Sequence, residues 1–204
     1  MRVFISGQKT FGMEVLHLCR SMGVDIAGVC CPLDDRLTAY CIEAGYYVTH
    51  SLRADNLPEF DLGISAHSFD YVSRPCRYKA KIGWIGYHPS LLPRHRGRSS
   101  IEWALRFKDI ITGGTIYWLN SGIDRGDIAY QDWVWLDHTK TAKEVWGDSL
   151  KPIGLRLFKE AISDIGRGVI KRVPQDKRFS TFEPDLTNIK DIFKPDLLML
   201  GHGG

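Results

Sequence analysis

A chain of 204 residues, 44% hydrophobic and 25% charged, is long enough to bury one sizeable core and reads as a single domain. A net charge of +3 falls short of the clustered basic excess of a nucleic-acid footprint, and no apolar run approaches the ~20 residues of a membrane span, so neither partner is expected. The five cysteines are odd in number and lack CxxC spacing, which speaks against a disulfide framework or zinc site and for reduced thiols in a cytoplasmic protein.

Val3 to Ile5 is an apolar run that predicts a buried strand. Gly7 to Gly12 predicts a loop, and Met13 to Ser21 a helix with Val15, Leu16, Leu18 and Cys19 on its apolar face. Gly23 stops that helix and Val24 to Cys30 supplies a second strand, a β-loop-α-β unit that predicts a parallel sheet. The loop itself carries neither GxGxxG nor the Lys-Ser/Thr pair of a phosphate loop, so on its own it is a tight strand-to-helix connection. A helix at Leu37 to Glu43, ended by Gly45, precedes a short strand at Tyr46 to Thr49. Leu62 to Ala66 and Ile82 to Tyr87 are further strands ending in polar loops, and in open α/β sheets ligands gather at such carboxyl ends.

Ser99-Ser100-Ile101-Glu102 fits a capping box that opens a helix to about Lys108. Gly114 to Leu119 is a strand feeding the loop Ser121-Gly122-Ile123-Asp124-Arg125-Gly126-Asp127. Ile128 to Leu136 alternates like an antiparallel or edge strand, with Trp133 and Trp135 expected to divide between core and surface. Thr141-Ala142-Lys143-Glu144 caps a helix interrupted at Pro152 and resumed to Gly166, after which the chain from Lys171 is polar and proline-punctuated.

Two residues stand out chemically. His88 ends an apolar run and is followed by prolines that fix the backbone, placing a group that titrates near neutral pH at a strand end. Asp124 sits at a loop tip between Gly122 and Gly126, where it either orients a nucleophile and relays a proton or simply bonds its own backbone as a turn residue. Arg94, His95, Arg96 and Arg98 form the densest basic patch, read as a solvated loop or an anion clamp.

The run His88-Pro89-Ser90-Leu91-Leu92-Pro93, with Arg96-Gly97, and the later Asp124-Arg125-Gly126-Asp127 resemble the paired signatures of the formyltransferases that use 10-formyltetrahydrofolate. The resemblance extends over roughly Met1 to Glu183 and is close to the hydrolase domain of 10-formyltetrahydrofolate dehydrogenase and the catalytic domain of methionyl-tRNA formyltransferase. It implies a Rossmann-like α/β fold, a mostly parallel twisted sheet flanked by helices, with a catalytic domain over 1–183 and a short extension over 184–204. It implies one-carbon transfer from 10-formyltetrahydrofolate to a small amine through His88 and Asp124, without a metal. The folate would lie on two loops, one with Phe69, Asp70, Tyr71 and Val72 and one with Ser121, Gly122 and Ile123. The acceptor would meet Gly7, Lys9, Gly12, Arg94 and Arg96. Small molecules are the expected partners, and a homodimer is left open. The segment after Glu183 is too short for the barrel domain that helps tRNA-formylating members bind tRNA, so a tRNA acceptor is not expected.

One position departs from the pattern. Amine-formylating members usually carry Asn two residues before the histidine, where this chain has Gly86, and losing one oxyanion donor costs on the order of 10² to 10³ in rate. The hydrolase domain of 10-formyltetrahydrofolate dehydrogenase also lacks that Asn. Two further readings follow: a 10-formyltetrahydrofolate hydrolase with water as acceptor, and a folate-binding module without turnover.

Overall fold

Strand β1 (Arg2–Gly7) is buried from Val3 onward, and its side chains alternate between two cores. Val3 and Ile5 face the helices α1 (Lys9–Ser21) and α6 (Lys151–Gly166), while Phe4 faces Phe60, Trp84 and Cys76 on the other side. A computed structural model gives this architecture for residues 1–186; the extension expected over 184–204 lies, past Leu186, outside the described residues. Around β1 are β2 (Asp25–Cys30), β3 (Val48–Thr49), β4 (Phe60–Ala66), β5 (Ala80–His88), β6 (Ile111–Trp118) and β7 (Ile128–Trp135). The sheet order is β3-β2-β1-β4-β5-β6-β7. Neighbours from β3 to β5 pair in parallel, and β6 and β7 are antiparallel additions. The strand order reverses between β1 and β4, which makes the ends of β1, β4 and β5 the place where loops can part around a ligand.

The remaining helices are α2 (Arg36–Glu43), α3 (Arg74–Lys79), α4 (Ser100–Arg106) and α5 (Ala142–Val145). Thr141 and Glu144 form the expected capping box on α5. A π-helical turn, Trp146–Leu150, then joins α5 to α6, and Pro152 sits harmlessly in the first turn of α6. Burial pushes the thiols of Cys19 and Cys41 up to about 12, and all five cysteines are free and buried. No helix of the described residues is long and apolar enough to cross a membrane.

Three local expectations change. The loop expected over Gly7 to Gly12 is only Gln8, because α1 begins at Lys9. The missing side chains make that possible: a Cβ on Gly7 would lie 2.8 Å from the Ala66 carbonyl oxygen and 3.2 Å from the Gly12 Cα. Ser99 does not cap α4 with its side chain; its hydroxyl instead bonds Asp185 and accepts from the Leu186 N–H. Trp133 and Trp135 are both exposed, at 52% and 67%, because residues two apart on a strand share a face. Helix α3, too short for an apolar period to announce it, starts at Ser73-Arg74-Pro75, a proline-in-first-turn signal.

Candidate active site

His88 closes β5, which is paired on both edges, and stands in register opposite Thr115. Its ring is buried, and Nε2 lies 2.6 Å from the His95 carbonyl oxygen. A carbonyl only accepts, so the neutral ring keeps its proton on Nε2 and turns the Nδ1 lone pair toward Asp124. Nδ1 is 3.6 Å from Asp124 Oδ2, too long for a direct hydrogen bond and close enough for both groups to touch one small molecule placed beside them.

Asp124 has a left-handed backbone, φ 51°, a conformation aspartate adopts more readily than most residues. Both carboxylate oxygens are occupied: Tyr117 donates its hydroxyl to Oδ1 at 2.7 Å, and the Gly97 N–H donates to Oδ2 at 2.8 Å. The loop backbone is held from a third direction. The Gln175 carboxamide donates to the carbonyls of Asp124 (2.8 Å) and Gly126 (2.7 Å), while its oxygen accepts from Arg96 Nη2 at 2.6 Å. Thr181 extends this strap by bonding Pro93 and the N–H groups of His95 and Arg96. Gln175→Ala would take away the hydrogen-bond acceptor that the buried Arg96 guanidinium has among the described residues, a loss of about 1 to 3 kcal/mol. A fall of several degrees in Tm is expected in a thermal melt; an unchanged Tm would show that the strap contributes nothing.

His88 and Asp124 open into a cavity of about 700 Å³. Its walls include Phe69, Asp70, Tyr71 and Val72 from the loop after β4, and Gly122 and Ile123 from the loop after β6. Ser121 does not line it, but its carbonyl lies 3.5 Å from the Tyr71 hydroxyl, joining the two loops. Phe11, Tyr87 and Trp146 form an aromatic floor, with ring centroids 5.2 to 6.2 Å apart. Arg98, Glu102, Lys143 and Glu183 supply charge at the walls, and among the described residues no cluster of His, Cys, Asp and Glu could hold a metal ion.

The residues expected to bind an acceptor are dispersed. Gly7 and Gly12 are pressed against each other and the backbone of β4. Lys9 stands near the cavity, its Nζ 6.0 Å from the Phe69 ring centre. Arg94 pairs with Asp109 at 3.1 Å beside a separate hollow of about 410 Å³, and Arg96 is engaged by Gln175, so the structure brings neither to the cavity wall.

Four wall or support residues escaped the sequence reading: His67, Tyr117, Trp146 and Gln175. His67 meets Phe69 and Trp146 edge-on at 5.6 and 6.0 Å, and burial together with Lys9 holds its pKa below the ordinary value, so the ring is neutral at pH 7. Gly86 lies behind Leu119 and Tyr117, two residues of that wall. A Cβ there would lie 2.9 Å from a Leu119 methyl and 3.5 Å from the Tyr117 ring, so the space beside Gly86 is already filled by β6 and the segment after it.

Residues 73–162, which include both His88 and Asp124, match the formyl transferase family model. The chain is 29% identical over 202 residues to the cytosolic 10-formyltetrahydrofolate dehydrogenase of Xenopus laevis, an alignment covering 90% of this chain and 22% of that protein. It is 37% identical over 101 residues to the methionyl-tRNA formyltransferase of Methylacidiphilum infernorum, covering 50% of this chain and 31% of that one. The chain thus spans about a fifth of the length of the dehydrogenases it matches. In fold it is similar to an N-formyltransferase from Helicobacter canadensis solved with folinic acid and dTDP-3-aminofucose (TM-score 0.76, 19% identity, 89% of this chain and 70% of that one). It is also similar to glycinamide ribonucleotide transformylase 1 from Symbiobacterium toebii (TM-score 0.72, 22% identity, 86% and 93%). These likenesses establish the Rossmann-like formyltransferase fold.

Proposed function

A formyl transferase segment spans residues 73–162 of this chain, and on that premise we propose that the protein removes the formyl group of 10-formyltetrahydrofolate at His88 and Asp124, with water as the favoured acceptor. The observation that carries this reading is the facing of His88 Nδ1 and Asp124 Oδ2 within a cavity walled by both expected folate loops. The folinic acid in the Helicobacter canadensis structure supports a reduced folate as the ligand of such a fold.

The chemistry follows from the two groups. Asp124 orients a water and draws its proton as the oxygen attacks the formyl carbon. His88, once protonated, donates through Nε2 to the His95 carbonyl and through Nδ1 to the oxyanion growing on the formyl oxygen. As the carbon–nitrogen bond breaks, N10 takes the proton that Asp124 drew from the water and leaves as tetrahydrofolate, and the formyl carbon departs as formate, its remaining acid proton passing to solvent.

Water is favoured because the contacts expected for an anionic amine acceptor are engaged elsewhere: Gly7 and Gly12 in packing, Arg94 on Asp109 and Arg96 on Gln175. Formyl transfer to a small amine is the second reading, supported by Lys9, Arg98 and Lys143 around the cavity. Following tetrahydrofolate release from 10-formyltetrahydrofolate, with and without a panel of amines, separates them. Release without any amine is expected. Release only when an amine is present would move the assignment to the transferase, and no release in either mixture would overturn both.

Gly86→Asn sharpens the distinction. The new carboxamide must displace Leu119 and crowd Tyr117, an overpacking loss of about 1 to 3 kcal/mol, so a lower Tm and slower donor-only turnover are expected, with no gain in amine formylation. A gain in amine transfer would show that only the missing carboxamide limits that reaction.

A further inference from the structure

We propose that Tyr117 is a positioning residue of this reaction, a fixed hydrogen-bond donor on the sheet that aims the Asp124 carboxylate at His88; the proposal rests on the assignment of His88 and Asp124 as the reacting pair. Tyr117 stands opposite Gly86 in the β5–β6 register, and Thr115 opposite His88. Directly opposed residues share a sheet face, so Tyr117 is the diagonal neighbour of His88 on the face that carries the imidazole. Gly86 contributes no side chain there, and the Tyr117 ring, 3.5 Å from where a Cβ would be, uses that space to reach over β5.

The hydroxyl at the end of that ring donates to Asp124 Oδ1 at 2.7 Å. Gly97 donates to the other oxygen. A carboxylate held at one oxygen can still swing about its terminal torsion, which is broad and soft. Held at both, from a sheet strand and from the loop after β5, its plane is set, and with it the direction of Oδ2 toward His88. Asp124 sits on a loop, and a loop carboxylate gains precision from an anchor on a rigid element. Burial and the neighbouring carboxylate keep the phenol well above its ordinary pKa, so it remains a donor throughout the working pH range.

Tyr117→Phe keeps the ring and removes only the donor. The expected result is a kcat lowered about tenfold with KM within about twofold, the loss of one hydrogen bond to a charged group expressed in the reacting state. Amide exchange at Gly97, whose N–H holds the same carboxylate, should quicken, and Tm should stay within a few degrees of the parent. In an Asp124→Asn background, measured by single turnover, the substitution should slow the reaction less than about twofold more, because residues acting through one group are not additive. Unchanged kcat, or equal losses in the two backgrounds, would overturn the proposal. If the parent protein releases no tetrahydrofolate, the functional assignment fails, and Gly97 exchange still decides: unchanged exchange in Tyr117→Phe would show that the phenol does not hold Asp124.

Discussion

His88→Ala is expected to lower kcat for formyl removal by about 10² to 10⁴, the range in which one positioned acid or base contributes. The imidazole is the group of β5 that faces the gap to Asp124, and in the proposed mechanism it meets the oxyanion more strongly than the resting carbonyl. Folate affinity should therefore stay within a few-fold, because the loops that wall the cavity, Phe69 to Val72 and Gly122 to Ile123, are untouched. The substitution also leaves the His95 carbonyl without its partner, which costs about 1 to 3 kcal/mol and lowers Tm by several degrees. Thermal melts and donor binding measured beside the kinetics keep the two effects apart. Near-normal turnover in a folded variant would remove His88 from the mechanism.

Asp124→Asn should lower kcat by about 10²-fold or more, since a carboxamide can neither draw the proton of the attacking water nor balance a protonated His88. Asparagine tolerates the left-handed backbone at this position, and its oxygen can still accept from Tyr117. Its NH₂ group then faces the Gly97 N–H, donor against donor, so a small fall in Tm accompanies the kinetic loss. Should Tm collapse while the residual folded protein turns over normally, Asp124 would be a turn residue, and the pair would have only one reacting member.

The parts legible in the sequence share a physical cause. Buried parallel strands are apolar on both faces, so Val3 to Ile5 and, past Asp25, the rest of Val24 to Cys30 announce themselves as apolar runs. The local capping pattern at Thr141 holds because, among the described residues, nothing remote competes for its hydroxyl. At Ser99 the same pattern fails because Asp185 and Leu186, far along the chain, claim the hydroxyl. His88 and Asp124, which the structure sets 3.6 Å apart, stand out in the sequence through residues that fix the backbone around them. Tyr117 and Gln175 were not, since one depends on cross-strand register and the other on a strap 51 positions beyond the aspartate it holds. The basic cluster misled for a related reason: Arg94 and Arg96 lie two apart in sequence, yet Asp109 takes one and Gln175 the other.

The fate of the formyl carbon itself is the most direct observable. 10-formyltetrahydrofolate carrying a ¹³C-labelled formyl group, mixed with the protein and followed by ¹³C NMR, should lose its formamide signal as the signal of free formate grows, at a rate that His88→Ala and Asp124→Asn each lower by about 10²-fold or more. A formamide signal that persists unchanged beside folded, folate-binding protein, or one lost equally fast in the two variants, would contradict formyl removal by His88 and Asp124.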